Sequence, residues 1–237
     1  MLVVIPSAPY GRLGALLSAL IVVASLIGLT MHKDFYAGVR RRDFYCYYTN
    51  LSNLLVLLYF SLVAPRLYGA AALRPLIPHA EFSLMMSIML TFFVFHHLLF
   101  PAIREQLHSW RPSREFAIVC ADNLIVHYLV PWLVFLYWLL CSPGKAALRA
   151  ADALLWTCIP LAYLLYIALR ARARAVIAET GSPYPYPFLD AQRRGRLRVL
   201  RTCAALYGLC ATSGLAVVAL LQLLISRFGA AHPLMLI

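Results

Sequence analysis

FAIVCADNLIVHYLVPWLVFLYWLLC, residues Phe116–Cys141, is the stretch that decides the fold. It is long and apolar enough to cross a bilayer, because about 20 helical residues span the roughly 30 Å hydrocarbon core. Asp122, Asn123 and His127 nevertheless lie inside it. A carboxylate at the centre of such a helix costs on the order of 2.5–3.5 kcal/mol, so these side chains are expected to face a bundle interior or a cavity.

Pro131 follows His127 by four residues. Proline has no N–H to donate to the carbonyl four residues back, so we expect the His127 carbonyl to lose its helical hydrogen bond and the helix to bend. Two interpretations of this helix are open. It is either a packing kink in which polar groups join neighbouring helices, or a functional site.

Comparable apolar stretches recur along the whole chain. The sequence is 63% hydrophobic with a mean hydropathy of +0.78, whereas soluble domains are about 45–50% apolar. The runs are continuous rather than alternating, which excludes a barrel. We predict one all-α domain over residues 1–237, a polytopic integral membrane bundle of six transmembrane helices. Its spans are expected at about 12–31, 46–64, 82–103, 116–141, 152–171 and 201–226. The first run lacks the features of a cleaved signal and is predicted to be span one.

The net charge of +12 is unevenly distributed. Most of the 21 lysines and arginines lie in or next to the loops that follow spans one, three and five. The positive-inside rule therefore predicts that loops one, three and five are cytoplasmic and that both termini are outside. We interpret the charge as an orientation signal, with anionic lipids as partners of the fifth loop, and we expect no nucleic-acid partner.

Polar residues in three spans share one depth in this orientation. Spans two and four run outward from the cytoplasm and span three runs inward, which places their polar groups in the cytoplasmic half of the bundle. Polar groups that only join helices need not cluster by depth, so the clustering favours a site. The candidate residues are Thr49, Asn50, Asn53, His96, His97, Asp122, Asn123 and His127.

Thr49 and His127 form the simplest reactive pair among these residues. A threonine hydroxyl is a poor nucleophile until a base removes its proton, and neutral histidine is the usual base. Asp122 or Asn123 could then orient or polarise the histidine. A cleft inside a bilayer admits lipid-like substrates, so the pair predicts ester hydrolysis of acyl chains without a cofactor.

Two other functions remain open at this point. A metal-dependent membrane hydrolase would hold zinc with His96 or His97, Asp122 and His127. Adjacent histidines point about 100° apart on a helix and no His-x-x-x-His motif is present, so we predict no metal. A proton-coupled carrier would use Asp122 and the histidines as a relay, although no inverted repeat indicates one.

The segment YPYPFLD, Tyr184–Asp190, lies in the fifth loop. Alternating Tyr and Pro favour an extended backbone. We predict an ordered cap or re-entrant cover here rather than a helix.

Four strings together resemble a known family: YYTNLSNLLV, HYLVPWLVFLYWLL, PLAYLLYIALR and YPYPFLD. They are similar to the bacterial branch of six-span membrane proteins related to the androgen-induced (FAR-17a-like) family. Animal members of that family are threonine hydrolases of fatty acid esters of hydroxy fatty acids. The resemblance implies a threonine early in span two and a histidine followed by a proline in span four, which correspond to Thr49 and His127. It also implies a bacterial inner-membrane location.

Overall fold

The computed structural model describes residues 11–35, 43–101, 104, 120–178 and 180–228. Six helical segments in it are long and apolar enough to cross a membrane, which confirms the prediction of an all-α membrane bundle. We refer to them as spans one to six. They are Gly11–Met31, Tyr48–Gly69, Ala71–Leu99, Cys120–Cys141, Ala150–Arg172 and Arg196–Arg227.

Most of these spans are built from several helical pieces. The α-helices are Gly11–Phe35, Tyr48–Leu58, Ala64–Gly69, Ile77–Val94, Val130–Cys141, Ala150–Leu155, Cys158–Arg172, Ala191–Arg194 and Arg196–Phe228. Short 3-10 helices are Asp43–Cys46, Ala71–Leu76, Lys145–Ala147 and Pro187–Leu189. The π-helical turns are Tyr59–Val63, Phe95–Leu99 and Ile125–Leu129.

Each of the three π turns is followed by a proline, with one residue between the turn and the proline. These prolines are Pro65, Pro101 and Pro131. A proline ring collides with the carbonyl four residues back in an α-helix, and one wider turn relieves that collision. The expected bend of span four therefore takes the form of a π turn that contains His127.

Span three begins at Ala71, earlier than the predicted residue 82. An isolated carboxylate is costly in hydrocarbon, yet the span continues through Glu81. In the structure Glu81 is only 2% exposed. Its Oε1 accepts hydrogen bonds from the hydroxyls of Tyr59, Tyr68 and Tyr137, at 3.0, 3.1 and 3.3 Å. Three donors offset the burial of the carboxyl group, so the helix continues through it.

Span one packs against spans two and four, and span four packs against span three. The approach is closest at Gly28, where a Cβ atom would lie 2.8 Å from side-chain atoms of both Ile125 and Val126. Small residues allow such contact between membrane helices. The backbone of span one therefore lies directly against the π turn of span four.

Span six contacts span five at one end only. Within the described residues, the helix Arg196–Phe228 packs closely along Ala150–Leu155 but not along Cys158–Arg172. Gly214 makes the close contact possible, because a Cβ there would lie 2.7 Å from the Ala153 carbonyl oxygen. Towards the fifth loop the two spans diverge and leave a space between them.

The apolar core has two parts. The larger one runs between spans one, two, three and four and continues to the start of span five and to span six. The smaller one surrounds the start of span two and consists of Tyr48, Tyr163, Ile167, Tyr186 and Leu189. This second cluster connects the fifth loop to the first turn of span two.

Candidate functional site

A cavity lies between spans two, three, four, five and six, beneath the fifth loop. It encloses about 730 Å³ of space not filled by protein atoms, counting its open mouth. Its wall is mostly aliphatic and aromatic, and Thr49 and His127 both contribute to it. The structure therefore brings the two residues of the predicted pair to one cavity.

The cavity opens on the lateral surface of the bundle, between spans five and six. Leu161 and Tyr207 line the cavity, yet they are 42% and 39% exposed. Leu165 and Leu209, which flank this opening in sequence, are exposed by 61% and 63%. An apolar opening on the side of a membrane bundle faces lipid rather than water.

Thr49 lies in the first turn of the helix that forms span two and is 7% exposed. Its carbonyl accepts hydrogen bonds from Ser52 Oγ at 3.0 Å and from Asn53 Nδ2 at 2.8 Å. Ser52 Oγ also shares a hydrogen bond of 2.7 Å with Thr91 Oγ1 of span three. The turn that carries Thr49 is thus fixed by its own side chains and by the neighbouring span.

His127 lies in the π turn of span four and is 5% exposed. Its ring stacks on Phe95 of span three, with centroids 3.7 Å apart and planes inclined by 13°. Packing on an aromatic face restricts the rotation of the imidazole and holds its edge in one direction.

Asn53 joins span two to the histidine-bearing turn. Its Nδ2 donates to the Val126 carbonyl at 3.1 Å, in addition to the Thr49 carbonyl. In the π turn Val130 N–H bonds to Ile125, one residue further back than in an α-helix. In the same register, the N–H of residue 131 would donate to the Val126 carbonyl. Proline has no N–H, so that carbonyl loses its helical donor. Asn53 supplies the missing donor to Val126, and the expected loss of a donor at the His127 carbonyl stays a prediction.

The fifth loop places Tyr186 in the cavity wall. Its hydroxyl accepts a hydrogen bond of 3.0 Å from Tyr48 N–H, at the start of the helix that carries Thr49. Burial raises the pKa of Tyr186 above its usual value, although the contacts with Thr49 and with the backbone lower it in part. The segment Tyr184–Asp190 has one 3-10 turn, Pro187–Leu189, in otherwise non-helical backbone, and a short α-helix, Ala191–Arg194, follows it.

Three other predicted site residues lie outside the wall of this cavity. Two of them are buried and one is half-buried. Asn50 is fully buried, but its Nδ2 donates to the Phe44 carbonyl at 2.8 Å, at the entrance of span two. Asp122 is 1% exposed and Asn123 is half-buried in the turn before Ile125–Leu129. None of the three lines the cavity.

His96 and His97 lie on the exposed surface of span three. His96 Nδ1 is 3.0 Å from the Tyr128 hydroxyl, and the His97 ring is stacked with Phe93. Neither histidine contributes to the cavity wall. They share the depth of the other candidates but face another direction, so we leave them out of the proposed site.

The zinc alternative required His96 or His97, Asp122 and His127 in one cluster. Among the residues that the structure describes, no three His, Cys, Asp or Glu side chains are grouped closely enough to hold a metal ion. His96 and His97 are exposed on span three, whereas Asp122 and His127 are buried in span four.

Sequence reasoning missed the polar cluster around Glu81, far along span three from the cavity. Lys145 lies close to it, with Nζ donating to the carbonyls of Trp138, Leu139 and Ser142 at 3.2, 3.1 and 2.9 Å. Burial lowers the pKa of Lys145 to about 8, and the Glu81 carboxylate opposes that shift. The repeated tyrosines near the ends of spans two and four were the signal that could have indicated this cluster.

No family model, curated protein or solved structure matches the chain.

Proposed function

We propose that this integral membrane protein hydrolyses lipid-like carboxylic esters, such as fatty acid esters of hydroxy fatty acids, with Thr49 as the nucleophile and His127 as the base. The observation that carries the proposal is that both side chains line one apolar cavity. The four strings resemble the bacterial branch of six-span proteins related to the androgen-induced family, whose animal members are threonine hydrolases, and this resemblance supports the same pair.

The proposed reaction has two steps. Thr49 Oγ attacks the ester carbonyl while His127 takes the threonine proton, and the tetrahedral intermediate then expels the alcohol, which receives that proton from His127. Water next attacks the acyl-threonine ester and gives a proton to His127, which returns it to Thr49 Oγ as the carboxylic acid leaves. The products are one alcohol and one carboxylic acid.

The surroundings of the pair support a lipid-like substrate. The wall is apolar apart from a few hydroxyl and thiol groups, and the mouth lies between spans five and six among exposed leucines. An acyl chain can enter such an opening from the bilayer without crossing water. The fifth loop covers the site on its other side through Tyr186 and Leu189.

We also propose the bacterial inner membrane as the location, with loops one, three and five in the cytoplasm and both termini outside. The excess of Lys and Arg in those loops supports this orientation. The reactive pair would then lie in the cytoplasmic half of the bilayer.

A serine/threonine-directed fluorophosphonate tests the proposed chemistry on the purified protein in detergent. The wild-type protein is expected to be labelled at Thr49. Labelling is expected to disappear in Thr49→Ala and in His127→Ala. The nucleophile and the base act together, so the loss of either one removes nearly all of the reactivity. Asp122→Asn should weaken labelling less, since Asp122 does not line the cavity.

Two control variants match these changes. Thr212 lies outside the cavity wall and its hydroxyl bonds to the Gly208 carbonyl of its own helix, so Thr212→Val should keep the label. Cys46 precedes Thr49 by three residues, and Cys46→Ala should keep it as well. Labelling that survives Thr49→Ala would contradict the proposed nucleophile, and a protein that is never labelled but loses function in Asp122→Asn would favour the carrier.

A further inference from the structure

The proposed reaction needs a hydrogen-bond donor for the carbonyl oxygen of the ester. That oxygen takes up negative charge when Thr49 Oγ attacks, and an apolar cavity holds little water that could stabilise it. Enzymes of acyl transfer meet this need with donors that are fixed in the wall of the site. The pair of Thr49 and His127 supplies a nucleophile and a base, so the donor must come from another residue.

Tyr207 of span six has a hydroxyl that no protein group occupies. The residue lines the cavity and is 39% exposed at its mouth. Within the part of the chain that the structure describes, the Tyr207 hydroxyl forms no hydrogen bond. A polar group without a partner is costly at membrane depth, so this hydroxyl is available to a polar group that enters the mouth.

The other tyrosine and threonine hydroxyls of the wall, apart from that of the nucleophile, have partners within the protein. The contacts are Tyr163 with the Cys46 carbonyl at 2.8 Å, Tyr48 with Ser87 Oγ at 2.7 Å, Thr91 with Ser52 Oγ at 2.7 Å, and Tyr186 with Tyr48 N–H at 3.0 Å. Tyr207 differs from these residues because its hydroxyl has no such contact.

The Tyr207 side chain is directed towards the end of the cavity that contains Thr49. Cys203 precedes Tyr207 by four residues on the same face of span six, and it packs against the small apolar cluster around the start of span two. Helical side chains lean towards the N-terminus of their helix, so the Tyr207 ring extends towards the level of Cys203. The first turn of span two, which carries Thr49, lies at that level.

We propose that Tyr207 is a catalytic residue whose hydroxyl donates to the carbonyl oxygen of the ester. The bond strengthens as Thr49 attacks and charge develops on that oxygen. Tyr207 keeps its proton throughout, and the bond weakens again when the alcohol leaves and the carbonyl re-forms. The same donor then serves the attack of water on the acyl-threonine. This inference rests on the proposed hydrolase function and adds to it a residue of span six.

The first test compares Tyr207→Phe with Tyr166→Phe by the rate of fluorophosphonate labelling at Thr49. Tyr166 is exposed to a similar extent, 36%, but lies outside the cavity wall, so it is the matched control. The phosphoryl oxygen of the probe takes the place of the ester carbonyl oxygen, so loss of the donor is expected to slow labelling by roughly 100-fold. The control should react at the wild-type rate. Equal rates for Tyr207→Phe and the wild type would contradict the proposal.

The second test separates a donor from a residue that only shapes the mouth. It measures kcat/KM for p-nitrophenyl palmitate and for its thionoester, in which sulfur replaces the carbonyl oxygen. Sulfur is a weak acceptor, so Tyr207→Phe should reduce the wild-type preference for the ester by about 10-fold, the effect of one hydrogen bond. A change of shape slows both substrates alike, so an unchanged preference would contradict the proposed role.

A second variant keeps the proposal testable if Tyr207→Phe fails to fold. Incorporation of p-methoxyphenylalanine at position 207 keeps the ring and its oxygen but removes the donor. This protein should show the same reduced preference for the ester over the thionoester. A preference equal to that of the wild type would show that Tyr207 is not the donor.

The outcomes distinguish this inference from the proposed function. If wild-type Thr49 is never labelled and neither palmitate ester is cleaved, the hydrolase itself is contradicted. If the wild type is labelled and the changes at Tyr207 leave its labelling rate and its substrate preference unchanged, only the role of Tyr207 is contradicted.

Discussion

Asn53 is the residue that couples the two halves of the proposed pair. One amide group donates both to the turn of Thr49 and to the carbonyl before His127. Because the two reactive residues come from different spans, their separation depends on contacts such as this one.

We predict that Asn53→Leu destabilises the protein by about 1–3 kcal/mol, because the buried Val126 carbonyl loses its donor. The labelling rate of Thr49 should fall with it. Thermal unfolding in detergent and fluorophosphonate labelling measure the two effects. Ser213→Ala is the control, since it removes a hydroxyl that bonds within its own helix, to the Cys210 carbonyl, and lies outside the cavity wall. Wild-type unfolding and labelling in Asn53→Leu would show that this contact is dispensable.

For individual residues, the sequence predicts which ones are polar and buried, but not all of the groups that they contact. Thr49 and His127 could be paired because both lie at one depth in apolar helices. His96 and His97 share that depth and still face outward, since depth does not determine the direction of a side chain. Tyr186 could not be assigned to the site, because its contact with Tyr48 joins residues that are 138 positions apart.

The π turns are the elements that give the spans their irregular shape. In each case a proline follows the turn, and the turn widens the helix before it. Of these three turns, the one in span four contains His127, a member of the proposed pair that lines the cavity. A wide turn changes the direction of the side chains around it, since each residue in an α-helix advances by about 100°.

We predict that Pro131→Ala slows labelling of Thr49 by roughly 10-fold or more, because an alanine N–H allows the segment to return to the α-helical register and turns His127 away. The helix itself should be as stable as before or more so, since alanine is the better helix former. Labelling and thermal unfolding should be measured on the same preparations.

Pro65→Ala is the matched control for this change. It acts on the equivalent π turn of span two, Tyr59–Val63, which does not line the cavity. Labelling should be unchanged in this control. If Pro131→Ala and Pro65→Ala behave alike, the π turn has no special role in placing His127.

The existence of six spans follows from composition, because long apolar runs admit few other structures. Their bounds are less predictable. Span three was predicted from residue 82 but begins at Ala71, and it includes Glu81, whose acceptor atom is satisfied by tyrosines from two other spans. The π turns were likewise missed, although the spacing of prolines was visible in the sequence, because a proline permits several local distortions.

Which half of the bilayer contains the site depends on the orientation of the whole molecule in the membrane. We predict that a cysteine at Ala147, in the fourth loop, is labelled by an impermeant thiol reagent on intact bacteria. A cysteine at Gln192, in the fifth loop, should be labelled only after the cells are opened. Both changes are made in a chain whose six native cysteines are serine. The opposite pattern would reverse the proposed topology and place the site in the outer half of the bilayer.

The bond from Tyr48 N–H to the Tyr186 hydroxyl also has a consequence for biosynthesis. Residues 138 positions apart leave the ribosome at different times, and at about 5–20 residues per second the interval is about 7–28 s. During that interval the first turn of span two enters the membrane without its cap, and the threonine beside it lacks its neighbour from the loop. A nascent chain released before residue 186 would contain both members of the reactive pair but would lack the loop and the span six residues that complete the cavity wall, so reactivity would begin only near the end of translation.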